Sequence, residues 1–198
     1  MPKIAAATVA EHVAHQEAAV IDAAARLFTE RGADHVTLGD IAAAVGLKRN
    51  SLYRYFPDKG HILAAWFRAE LAPLLATCTA IAEGEDDPNE QLDEWLTVQL
   101  DYLLAPEHQA LLTSAAELSS VGDDVREQIG AGHRELYSTL GTILSRLVAT
   151  DGAPTRDVGV ITMLIAGLLR STTDLIRAGH DPHAARTELL RAAHAVAG

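Results

Sequence analysis

The sequence predicts an all-α fold, with a three-helix unit at the amino terminus and a larger helical domain after it. Apolar residues fill 48% of the 198 positions, yet aromatics only 5%. Alanine and leucine supply much of the rest, and they favour helix over strand. Apolar positions recur at helical spacing, and hydroxyl or carboxylate caps, with glycine or proline stops, divide the chain into segments.

Each element follows from such signals. Thr8-Val9-Ala10-Glu11 has capping-box spacing and opens a long helix with Val13, Val20, Ile21, Ala24, Leu27 and Phe28 on one stripe; Arg31-Gly32 ends it. Thr37, with Asp40 three residues on, caps a short helix carrying Leu38, Ile41, Ala42 and Val45 inward, and Gly46 ends that one. A second short helix spans Arg49 to Tyr55. Two short helices joined by a tight glycine turn are the pattern of a helix-turn-helix. Asp58 caps a helix from about Lys59 to Ala82 that contains Pro73, where the missing N–H and the crowded Ala69 carbonyl predict a bend. After the polar break at 84–88, helices are expected near 89–105, 107–119, 122–150, 155–179 and 182–196. Asp181-Pro182 opens the last of these.

Composition narrows the function. A single cysteine, Cys78, excludes an internal disulfide. The amino terminus lacks the apolar run of a signal peptide, and no stretch is expected to approach the roughly 18 apolar residues of a membrane span, the longest apolar region being Val158 to Leu169. A cytoplasmic protein with no membrane association is expected. The net charge of −11 is unevenly placed: residues 1–60 carry seven basic and seven acidic side chains, and residues 61–198 nine and twenty. The second part repels polyanions, so any nucleic-acid contact is expected in the first. The expected domains are accordingly 1–60 and 61–198.

The segment 46–59, GLKRNSLYRYFPDK, holds four of the sixteen Lys and Arg residues and two of the four tyrosines. Lys48, Arg49, Asn50 and Ser51 open the second short helix, the end that reaches base edges in DNA-binding helix-turn-helix units. Arg and Lys suit guanine O6 and N7, and Asn suits adenine N6 and N7. Tyr53, Tyr55 and Lys59 suit phosphate oxygens, and Thr37 with the N–H groups of its helix offers another phosphate contact. A lone basic cluster is most often a solvated helix face. Here it coincides with a glycine turn, two short helices and a cap just downstream.

From Ala19 to Leu63 the sequence resembles the DNA-binding domain of TetR-family transcriptional regulators. The matching residues are Val20-Ile21-Asp22-Ala23-Ala24, Leu27-Phe28, Arg31-Gly32, Thr37, Asp40-Ile41-Ala42, Gly46, Ser51-Leu52-Tyr53, Tyr55-Phe56, Lys59 and Leu63, in order and without insertion. The resemblance implies phosphate contacts at Thr37, Tyr53, Tyr55 and Lys59 and base contacts at Lys48, Arg49 and Asn50. Gly39 stands where the family often has a polar residue that adds a backbone contact. Lys48 replaces a common hydroxyl cap and Asn50 a common small residue, so the operator is not transferable from a relative. The resemblance further implies a homodimer through a four-helix bundle of the last two helices, on a palindromic double-stranded DNA operator, and a repressor released by a small-molecule effector.

The middle helices are expected to enclose a largely apolar effector site. Its candidate residues are Trp66, Trp95, Gln99, Tyr102, Glu117, His133, Tyr137 and Met163; Trp95, Tyr102 and Tyr137 combine a large apolar body with a polar handle. Asp101 and Glu117 are either partners of a cationic ligand or ordinary exposed carboxylates. An enzyme or metal protein is the first rival reading. However, the pairs His12/His15 and His180/His183 lack a third ligand, and no phosphate loop or Gly-x-Ser-x-Gly element occurs. No cofactor, metal or catalytic residue is expected. An adaptor that has lost DNA binding is the second rival, opposed by the intact Lys48, Arg49, Tyr53, Tyr55 and Lys59.

Overall fold

A computed structural model of the chain describes residues 6–117, 122–150 and 156–198. Among these residues there are α-helices and one 3-10 turn, and no strand. The helices are α1 (Ala6–Arg31), α2 (Leu38–Ala44), α3 (Arg49–Leu52), α4 (Lys59–Glu83), α5 (Pro88–Leu104), α6 (Pro106–Glu117), α7 (Asp123–Thr150), α8 (Val158–Arg177) and α9 (Pro182–Ala197), with the 3-10 turn at Ala33–His35.

Caps set most boundaries. Thr37 and Asp40 form a reciprocal capping box: Thr37 N–H donates to Asp40 Oδ2 at 2.8 Å and Asp40 N–H donates to Thr37 Oγ1 at 3.2 Å. Asp58 Oδ1 accepts the His61 N–H at 2.9 Å. Asp87, Asp157 and Asp181 cap α5, α8 and α9 in the same way, with Pro88 and Pro182 in first helical positions. Gly46, at φ +71°, makes the reversal between α2 and α3.

Two expected boundaries move. The first long helix already runs from Ala6, so Thr8 lies inside it rather than at its cap. The second short helix was expected to reach Tyr55, but α3 stops at Leu52 and residues 53–55 form a turn, with Tyr55 N–H and Phe56 N–H both donating to Leu52 O. Pro57 explains this: it has no N–H and biases Phe56 away from the helical region. Pro73 does not interrupt α4.

The chain divides into two compact units, Met1–Glu70 with Gln109–Ile129, and Leu71–His108 with Gly130–Gly198. In the first unit α1, the 3-10 turn, α2 and α3 pack together around Val20, Leu27, Phe28, Ile41 and Leu52, all 3% exposed or less. The start of α7 belongs here too: His61 Nε2 lies 3.0 Å from Asp124 Oδ2, and Val125 is buried near Gly60. In the second unit α8 packs along α9, and α5 meets both. Trp95, Leu96, Leu100, Leu140, Ile143, Leu144 and Ile165 are fully buried there.

α4 and α8 are long and apolar enough to cross a membrane by length and composition alone, although neither is an unbroken apolar run. Half of the apolar window of α4 is buried inside the fold, where Ile62, Leu63, Trp66, Phe67, Leu71 and Leu74 pack. α8 keeps an apolar strip exposed: Val160, Met163, Leu164 and Leu175 are each at least 46% accessible.

Candidate nucleic-acid interface and effector region

Leu52, at 0% exposure, anchors α3 on the first unit's core. That anchor turns the other side of α3 to solvent, where Lys48, Arg49 and Asn50 are exposed, Ser51 is half-buried and Tyr53 is 45% exposed. Arg49 and Tyr53 form a unit one helical turn apart: Arg49 Nη2 donates to Tyr53 Oη at 3.2 Å, and its guanidinium lies 6.0 Å from the ring centroid. Arg54 stands in the same relation to the Tyr55 ring, also at 6.0 Å. These contacts restrict long side chains that would otherwise lose rotamer freedom on binding. What results is an exposed strip of cations, one carboxamide and phenols.

Two of the expected phosphate contacts already have partners. Thr37 Oγ1 donates to Asp40 Oδ2 at 2.5 Å, and the hydroxyl and backbone bonds from Thr37 hold the Asp40 carboxyl below its ordinary range. A phosphate at Thr37 therefore meets a carboxylate at the same helix start. Lys59 Nζ donates to Ala33 O at 2.7 Å and is half-buried; an ammonium retains two further donors.

The residues expected to bind an effector are not all brought together. Trp95, Gln99, Tyr102, His133 and Tyr137 lie in the second unit, on α5 and α7. Trp95 Nε1 donates to Thr139 Oγ1 at 2.8 Å, and its ring centroid lies 6.1 Å from that of Tyr137. Gln99 Nε2 is 3.3 Å from Cys78 Sγ, in the core. Burial raises the Tyr137 phenol above its ordinary value, against the opposing charge of Arg170. Trp66 and Glu117 belong to the first unit instead: Trp66 Nε1 donates to Glu70 Oε1 at 3.2 Å, and Glu117 Oε2 accepts the Ala33 N–H at 2.6 Å. Met163, at 73% exposure, lies on the open face of α8. Asp101 is exposed and paired with Arg186.

The sequence reading missed His108. It is 4% exposed, and desolvation pushes its imidazole down to about 4, helped by the charges of His133 and Arg177. A signal was available: His108, Leu111 and Ser114 recur at helical spacing, and all three are buried. Among the described residues no three His, Cys, Asp or Glu side chains gather as a metal would need.

The fold and the exposed strip define a helix-turn-helix regulator, and comparison with known proteins agrees. Residues 20–66 match the model of the bacterial regulatory proteins of the tetR family. The chain is similar to the HTH-type transcriptional regulator Rv2250c of Mycobacterium tuberculosis, 26% identical over 176 residues, 87% of this chain and 89% of that one. It is also 26% identical over 147 residues to the HTH-type transcriptional regulator BetI of Rhizobium meliloti, 74% of this chain and 72% of that one. Among solved structures, FadR from Bacillus subtilis in complex with stearoyl-CoA shares the fold, with a TM-score of 0.70 at 20% identity over 88% of this chain and 96% of that one. Residues 20–66 thus carry a tetR-type DNA-binding domain, and the chain is a ligand-responsive, DNA-binding transcriptional regulator similar to HTH-type regulators along most of its length.

Proposed function

We propose that this regulator binds a palindromic operator as a homodimer, represses the genes beside it and is released by a small, largely apolar effector. The observation that carries the reading is the exposed strip Lys48, Arg49, Asn50 and Tyr53 on a four-residue helix anchored by Leu52. Lys48, Arg49 and Asn50 face bases; Ser51, Tyr53 and Tyr55 take phosphates. Lys59 and Thr37 contribute through the bonds that shape the unit as much as through phosphate. Residues 1–60 form the DNA-reading domain and residues 61–198 the effector and dimerisation domain. The protein is not an enzyme and acts in the bacterial cytoplasm, where the chromosome lies, with no membrane partner.

Dimerisation is supported by the open face of α8. Four large apolar side chains left uncovered on one helix, in a chain with net charge −11, are best covered by a second copy. A dimer also doubles the phosphate contacts. About four per subunit give a slope of log affinity against log salt near −7, whereas half that number binds weakly at physiological salt.

Release follows from chain continuity. α4 and α7 each begin in the first unit and continue into the second. An effector lodged among Trp95, Gln99, Tyr102, His133 and Tyr137 bears on these helices and so on the spacing of the two reading heads. A preference of about 1–3 kcal/mol for the non-binding form lowers operator affinity roughly 5- to 150-fold. The solved FadR from Bacillus subtilis, which shares the fold, is a complex with stearoyl-CoA, and this supports the choice of an apolar effector. Selection of bound duplexes from a random pool tests the reading: a recovered palindrome supports it, and recovery of no sequence overturns it.

A further inference from the structure

The second unit holds a buried imidazole that no bond in the fold explains. His108 is 4% exposed, and its Nδ1 is buried without a hydrogen-bond partner. A buried nitrogen in that state is a cost to the fold unless something outside the chain completes it. Its surroundings are specific. The ring lies against Tyr102, with centroids 4.4 Å apart and planes at 45°. Leu103, the next residue, accepts an N–H from Arg177 Nη2 at 3.2 Å, which holds the α8 guanidinium at the same end of α5. Arg177 reaches Asp174 only at 3.7 Å, so its charge is weakly compensated.

The charges acting on His108 are those of His133 on α7 and Arg177 on α8, with no carboxylate among them. Arg170 acts on Tyr137, one turn beyond His133. Asp101, the nearest acidic residue before Tyr102 in the chain, is paired with Arg186. Glu107, beside His108 in sequence, is exposed. His108 also lies in the first turn of the twelve-residue α6, where the helix dipole favours negative charge.

We infer that His108, with Tyr102 against it and Arg177 and His133 beside it, receives the anionic head of the effector, a carboxylate or phosphate monoester on an apolar body. The inference rests on the regulator reading and names the chemistry of its ligand. Nδ1–H of the neutral imidazole donates to an anionic oxygen, and the Arg177 guanidinium supplies the long-range attraction. A quaternary ammonium head meets the Arg177 guanidinium and is repelled.

The test uses full-length protein and four ten-carbon probes below their micelle concentrations: decanoate, decyl phosphate, decanol and decyltrimethylammonium. Binding is read by thermal shift and titration, and DNA release by anisotropy of a selected duplex. One or both anions bind at least about tenfold tighter than the alcohol and the ammonium, and the better of the two identifies the head group. Arg177→Gln, at an exposed position, and His108→Leu each reduce that preference roughly fivefold or more. Equal or tighter binding of decanol or decyltrimethylammonium overturns the inference, as does failure of every probe to bind or an anion preference unmoved by Arg177→Gln. DNA binding without probe is scored separately. A chain that binds duplex but not anions loses this inference and keeps the regulator reading; one that prefers anions but ignores all duplexes loses the regulator reading.

Discussion

Glu117, at the end of α6, accepts the backbone N–H of Ala33 at 2.6 Å, 84 residues earlier in the chain. The carbonyl of the same residue accepts from Lys59 Nζ at 2.7 Å. One residue in the turn that feeds α2 is thus gripped on both sides by charged side chains, and Ala33 itself is fully buried. Gly32 makes room for the grip: its φ is +82°, and a Cβ there would stand 3.2 Å from Glu117 Oε2. Hydrogen bonds to charged groups contribute about 1.5–3 kcal/mol. Glu117→Ala is expected to destabilise the chain by about that amount and to accelerate exchange of the Ala33 amide. Glu117→Gln, which keeps an acceptor, is expected to retain part of the protection. Unchanged melting and exchange in Glu117→Ala would show that the bond carries no weight.

Side chains on the reading strip separate by what they contact. Tyr53→Phe removes a hydroxyl that is bonded to Arg49 and is expected to weaken binding to all duplexes alike, with the salt slope unchanged because no charge is lost. Asn50→Ala is expected to relax base preference at one position of each half-site, by about 1–3 kcal/mol. Competition binding against single-base operator variants distinguishes the two. Lys59→Ala is expected to lower thermal stability as well as affinity, since it releases the Ala33 carbonyl.

The local parts of this arrangement were legible in the sequence. The Thr37–Asp40 box, the Asp58 and Asp181 caps and the glycine stops act over three or four residues, so spacing alone reveals them. The strip at Lys48–Tyr53 was legible because its charge contrasts with the rest of the chain. The grip on Ala33 was not, because Glu117 approaches from a distant helix; read by composition, the same carboxylate was a candidate for a ligand. α3 ends sooner than expected because Pro57 acts several residues upstream. Met163 looked like a pocket residue because an apolar side chain on an amphipathic helix does not say which face is covered by its own chain.

Two histidines oppose each other in pH dependence. Hydrogen bonding to Asp58, with the charges of Asp58 and Asp124, raises His61 above its ordinary 6.5. Its contribution is complete below that unfolded value and is lost as pH rises through the higher folded one. His108 is depressed to about 4. Its neutral form is favoured, so its contribution is complete above 6.5 and is lost as pH falls toward 4, on the order of 3 kcal/mol. His61→Gln is expected to flatten the decline in stability above pH 6.5, and His108→Leu the decline between pH 6.5 and 4. Chemical denaturation across pH 4–8 checks both, and parallel curves for either variant and the parent would contradict the assignment.

The open face of α8 predicts an oligomeric state. Met163 is 73% and Leu164 54% exposed. A carboxylate buried between two copies is unpaired and costly, so Met163→Glu with Leu164→Glu is expected to yield a monomer with unchanged helix content. Sedimentation velocity reads the mass and circular dichroism the fold. A parent chain that is already monomeric at micromolar concentration would contradict the homodimer.

The most direct measurement is equilibrium binding of the full-length protein to its selected duplex as salt is varied. A dimer is expected that prefers a palindrome over scrambled DNA, with log affinity falling against log salt at a slope near −7 and the preference lost in Arg49→Ala with Asn50→Ala. A chain that binds no duplex at low salt, or that binds with no sequence preference in parent and variant alike, would contradict it.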